Sequence, residues 1–66
     1  MKVKDLFKRL NELGWFEIRI TGSHHIFKHP QANRTIPVAV HGKDIDELIA
    51  KGILKQAARA LRRNKQ

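Results

Sequence analysis

The segment WFEIRITGSHHIFKHP, residues 15–30, decides the fold. From Trp15 to Thr21 apolar and polar residues alternate, with Phe16, Ile18 and Ile20 on one face and Glu17 and Arg19 on the other. That is the period of a half-buried strand. Gly22 and Ser23 mark a turn, and His24 to His29 reads as a second strand that Pro30 ends. Beyond it, Gln31 to Arg34 is polar enough to be a connecting loop, and Thr35 to Val40 is a third strand. Pro37 cannot donate to a ladder, so this strand is expected at an edge or to direct that position to solvent. Gly42 to Asp44 closes the sheet.

Outward from these strands the period changes. Val3, Leu6, Phe7, Leu10 and Leu13 recur at three- and four-residue intervals and predict a helix, with Lys4, Asp5, Lys8, Arg9, Asn11 and Glu12 on its opposite face. Gly14 suits the left-handed turn that ends it. From about Asp46 onward Ile49, Ala50, Ile53, Leu54, Ala57, Ala60 and Leu61 fall on one arc of a second helix, and Lys51, Lys55, Arg59, Arg62 and Arg63 on another. Gly52 costs it ~1 kcal/mol relative to Ala and leaves room for a local break or a close approach to the sheet. Fraying is expected after Leu61, and Arg62 to Gln66 reads as a disordered tail. The expected fold is α+β: an α-β-β-β-α order in one domain, residues 1–66, with a three-stranded antiparallel sheet and both helices on one face.

Within the second strand, Phe27 is the expected core residue, which turns His24, Ile26 and Lys28 toward the open face. A slip of one residue would instead bury Ile26 and the face of His24, so pattern alone leaves the choice open. Trp15 is expected at the helix-to-strand junction, although an exposed aromatic there could stack on a base.

A chain of 66 residues buries only about 60% of its unfolded surface, so no large internal cavity is available. Function must sit on a surface or in a shallow groove. Without cysteine there is neither a disulfide framework nor a thiolate metal site. No secretory h-region is read in Met1 to Leu13, no run approaches the ~20 apolar residues of a membrane span, and a cytoplasmic location is expected. Fourteen Lys and Arg against six Asp and Glu give a net charge of +8. A polyanionic partner is implied, nucleic acid first, though an acidic protein or an anionic membrane meets the same electrostatics.

Histidine is concentrated between His24 and His41. His25 and His29 lie about 13 Å apart along a strand, too far to share an ion, and His24 and His25 point to opposite faces, so neither metal nor other cofactor is expected. Imidazole can instead act as a general base near neutral pH. RNA supplies a suitable proton on its ribose 2′-OH, whose oxygen then attacks the adjacent phosphate. Lys28 would stabilise the developing charge, His29 is a secondary candidate, and Gly22 and Ser23 would let the backbone approach the phosphate. The plain alternative is that His24 caps a strand. Lys51, Lys55 and Arg59 repeat at four-residue spacing without an interleaved acid. Such a stripe is commonly just a solvated face, but a polyanion would relieve its like-charge repulsion.

Gly22-Ser23-His24 followed by Phe27, Lys28, His29 and Pro30 resembles the HicA toxin family, also described as YcfA-like. Leu13-Gly14-Trp15, His41-Gly42 and Ile53-Leu54-Lys55-Gln56-Ala57 extend the likeness over nearly the whole chain. The resemblance implies a fold like that of double-stranded-RNA-binding domains and a type II toxin that cleaves mRNA without the ribosome. It also implies His24 as the catalytic position and a HicB-type antitoxin as partner. Leu48 and Ile49 depart from the glycine and threonine that start the last helix in many members. The competing expectation is a non-catalytic RNA- or DNA-binding module of the same fold, with a protein-only interaction domain behind it.

Overall fold

Val3, Leu6 and Leu10 are buried along one stripe of α1 (Val3–Glu12) in the computed structural model, which describes residues 1–62. The helix closes with a complete Schellman motif. The Trp15 N–H donates to the Leu10 carbonyl and the Gly14 N–H to that of Asn11, both at 2.9 Å, while Gly14 takes φ +98°. Leu10 and Trp15 supply the apolar contact that accompanies such a cap, and both are buried. Leu13, one residue past the helix, turns outward instead of joining the apolar face.

Three strands follow as an antiparallel meander: β1 (Phe16–Thr21), β2 (His24–Lys28) and β3 (Ile36–Ala39), in spatial order β1-β2-β3. Gly22 at φ +59° followed by Ser23 at negative φ makes a type II′ hairpin turn, whose twist matches that of the flanking strands. Pro30 and Gln31 carry the chain round the next turn, closed by the Ala32 N–H on the His29 carbonyl at 3.0 Å. β3 is an edge strand, as Pro37 requires.

Phe27, Ile36 and Val38 are buried on one face of the sheet and share a core with Leu6 and Leu10 of α1 and Ala50 and Ala57 of α2 (Glu47–Arg62). Both helices therefore cover the same face. Asp46 caps α2: its Oδ2 accepts from the Leu48 N–H at 3.0 Å and the Ile49 N–H at 3.3 Å. Small residues at 50 and 57 bring the helix close to the sheet. Gly52 does not serve that purpose, since space is open where its Cβ would stand, and the helix runs through it unbroken. At about 100° per residue Ile49 lies about 90° from the meridian set by Ala50, Ile53, Leu54 and Ala57. It is accordingly 58% exposed and not part of the buried arc. The helix extends one residue beyond Leu61, and the expected tail at residues 63–66 lies outside the described residues.

Two features depart from the simple pattern. Lys43 to Ile45 pairs with the start of the chain through Val3 N–H to Lys43 O and Ile45 N–H to Met1 O, both 2.9 Å. In β1 the register passes from Glu17 opposite Phe27 to Arg19 opposite Ile26, leaving Ile18 as the extra residue of a β-bulge. Phe16 and Ile20 therefore do not share a face, and Glu17 and Arg19 do not share the other.

Candidate active site on the open face of the sheet

The buried Phe27 fixes the pleat of β2 and settles the choice between its two faces. His25 lies on the covered side with it, its ring 5.3 Å from that of Phe7 and bonded to the Glu17 carboxylate. His24, Ile26 and Lys28 point to the uncovered side. Cross-strand partners share a face, so Thr21, Arg19 and Phe16 of β1 and Ala39 and Pro37 of β3 join them there.

On that surface His24 stands between Thr21 and Ala39, both small. Its ring is exposed, and none of the side-chain hydrogen bonds among the described residues holds it. The turn before it is firm. The Ser23 carbonyl accepts from the Val40 N–H at 2.8 Å, and Gly22 has open space on the side a Cβ would occupy. Arg19 sits diagonally from His24 across the strand pair, at a Cα separation of roughly 7–8 Å. Lys28 is four residues along the same strand, about 13 Å away.

The bulge sets the charge of this face. Regular alternation would have put Glu17 beside Arg19 and opposite Lys28, neutralising both. With Ile18 inserted, Glu17 turns to the covered side and its carboxylate meets His25. Phe16 takes its place opposite Lys28 and remains 46% exposed. Strand residues of the open face thus include Arg19, Lys28 and His24 and no acid.

The other predicted residues lie elsewhere. His29 is buried, its Nδ1 accepts the Gln31 N–H and its Nε2 donates to the Leu13 carbonyl, each at 3.0 Å. Because Nδ1 accepts from a backbone donor, the proton resides on Nε2. Both nitrogens are committed to joining the end of β2 to the cap of α1, which leaves neither for a phosphate. His41 is exposed in the loop after β3. Lys51, Lys55 and Arg59 are exposed on α2, in the helical layer behind the sheet, so the structure does not gather them around His24. Lys55 and Arg59 border a groove of about 420 Å³ together with Arg34 and the buried Trp15, whose indole N–H has no partner among the described residues. No group of three or more His, Cys, Asp or Glu able to hold a metal ion is found among the described residues. Nor is any described helix long and apolar enough to cross a membrane.

Sequence reading missed Arg19 and Phe16 as members of this surface. Arg19 was within reach. Counting back from a two-residue turn sets Thr21 opposite His24 and Arg19 opposite Ile26. Phe16 was not, because only the bulge brings it over.

By comparison with known families, this small basic α-β-β-β-α chain is one of the toxins of bacterial toxin-antitoxin systems. The family described as HicA toxin of bacterial toxin-antitoxin matches residues 3–58, from the start of α1 into the last turns of α2, and the chain belongs to it. Among curated proteins none matches the chain.

Proposed function

We propose that the chain is the toxin of a type II system, an endoribonuclease that cuts mRNA at the open sheet face without the ribosome, with His24 as general base. The observation that carries this reading is His24 itself: an exposed, unbonded imidazole on a face with two cations and no acid among its strand residues. His24 takes the proton of a ribose 2′-OH, the 2′-oxygen bonds to the adjacent phosphorus, and the bond to the 5′-oxygen breaks, that oxygen taking a proton from solvent. The products are a 2′,3′-cyclic phosphate and a 5′-hydroxyl. Apart from that solvent proton, the atoms that react belong to the RNA and the imidazole, and the step as written calls on no metal or other cofactor. Gly22 and Ser23 offer backbone and hydroxyl contacts to the phosphate. Arg19, the nearer cation, faces the developing phosphorane charge, and Lys28 holds a neighbouring phosphate.

Labelled mRNA incubated with purified protein in EDTA tests the reading. Cleavage is expected. A gel shift without cleavage would make the chain a binding module of the same fold, and the absence of both would leave a protein-only interaction domain.

Lys51, Lys55, Arg59 and Arg62 are assigned to RNA beyond the cut site. Each phosphate neutralised on a single strand contributes about −0.7 to the slope of log affinity against log salt. With four such contacts, affinity falls about 50-fold between 50 and 200 mM salt. A binding constant indifferent to salt would contradict this. The net charge of +8 also suits an acidic HicB-type antitoxin, which we place over His24. Hydrogen exchange on the complex is expected to show protection in β2, and a complex that leaves His24 open to solvent would exclude inhibition by occlusion.

A further inference from the structure

We infer that the open face is a platform for single-stranded RNA, with Phe16 as the stacking site for an unpaired base on the far side of Arg19 from His24. The proposal rests on the RNA reading above and adds to it the form of RNA and the residue that selects it.

Four observations carry the argument. Phe16 is a large aromatic left 46% exposed on a surface that neither helix covers. Such a side chain offers apolar area whose burial by a partner is favourable, and a base has a π-face of matching size. It lies opposite Lys28, with Arg19 and Ile26 forming the next pair and Thr21 and His24 the last, so aromatic, cation and imidazole follow one another along a line. From Lys28 to His24 that line measures about 13 Å. The bulge that brings Phe16 to this face also removes Glu17 from it, leaving Arg19 and Lys28 among neighbours that carry no negative charge. Finally, the cross-strand neighbours of His24 are Thr21 and Ala39, both small, which leaves its ring accessible from the open face.

Bases held in a duplex show only their edges, so a stacking aromatic has nothing to engage there; a single strand can splay a base onto it. The 2′-OH must also leave helical geometry for its oxygen to come in line with the leaving 5′-oxygen. A strand laid along β2 meets both conditions, with one base on Phe16, its phosphates on Lys28 and Arg19, and the next 2′-OH at His24. An acidic protein would satisfy the cations and bury the aromatic as well, but it gives no task to the exposed imidazole in line with them. That favours RNA as the occupant.

The test is binding, measured in a His24→Ala background so that cleavage does not interfere. A short unstructured RNA and the same RNA annealed to its complement are titrated against His24→Ala, His24→Ala/Phe16→Ala and His24→Ala/Phe16→Trp. The single strand is expected to bind more tightly than the duplex, and Phe16→Ala to weaken single-strand binding about 5- to 150-fold with little effect on the duplex. Phe16→Trp should retain the affinity, which a merely structural role for Phe16 would not ensure. Circular dichroism confirms folding of each variant. Equal affinity of Phe16→Ala and its parent for single-stranded RNA would overturn the inference and leave the face to a protein partner. So would tighter binding of the duplex. Neither outcome depends on whether the parent protein cuts RNA, so the inference and the enzymatic reading can fail separately.

Discussion

Replacing His24 by alanine is expected to slow RNA cleavage about 10²- to 10⁴-fold, the usual loss on removing a general base, while the protein stays folded. The separation of activity from stability follows from where the ring stands. His24 is exposed between Thr21 and Ala39, makes no side-chain hydrogen bond among the described residues, and takes no part in the core. Its removal should shift stability by no more than about 1 kcal/mol, as for surface substitutions generally. His25→Ala and His41→Ala should cut RNA at close to the parent rate, because His25 faces α1 and His41 lies in the loop beyond β3. Cleavage at the parent rate by His24→Ala would remove the catalytic assignment. Unfolding of that variant would restore the reading of His24 as a strand cap.

The second large effect concerns the fold that holds the face in place. Gly14→Ala is expected to destabilise the protein by about 2–4 kcal/mol, from two separate causes. An L residue held at φ +98° costs roughly 1–2 kcal/mol. The added Cβ would also stand 2.5 Å from His29 Nε2, forcing the ring off the Leu13 carbonyl. A part-buried donor and acceptor left unpaired cost about 1–2 kcal/mol more. In a domain of this size each kcal/mol shifts Tm by about 4–8 °C, so a fall of roughly 8–32 °C should appear in thermal melts followed by circular dichroism. A Tm within a few degrees of the parent would mean that the helix cap and His29 are not coupled as described.

That coupling shows what the sequence could and could not disclose. The Schellman cap was legible because Gly14 and the period before it are local signals. The hairpin was legible for the same reason, from alternation on either side of Gly22-Ser23. His29 was misjudged as a site residue because its partners, Leu13 and Gly14, lie far along the chain, and only the assembled fold shows that a missing Cβ makes space for its ring. The bulge at Ile18 was hidden for a different reason. FEIRIT alternates as a regular strand would, and an inserted residue leaves no compositional mark when the strand is exposed along its whole length. Ile49 was placed on the apolar arc because it sits at the arc's margin, where tertiary cover decides burial. Charge and the histidine cluster pointed to β2 and the turn before it, while the set of side chains that shares a face with His24, Phe16 and Arg19 among them, is decided by the pleat and the bulge of the assembled sheet.

If His24 draws its proton from the RNA's own 2′-hydroxyl, cleavage must depend on that hydroxyl. The most direct measurement compares parent protein on an RNA cut at a mapped position with the same strand carrying a single 2′-deoxynucleotide immediately 5′ of that bond. The first is expected to be cleaved to a 2′,3′-cyclic phosphate and a 5′-hydroxyl, and the second to remain uncut at that bond. Cleavage of both at equal rates would contradict that dependence.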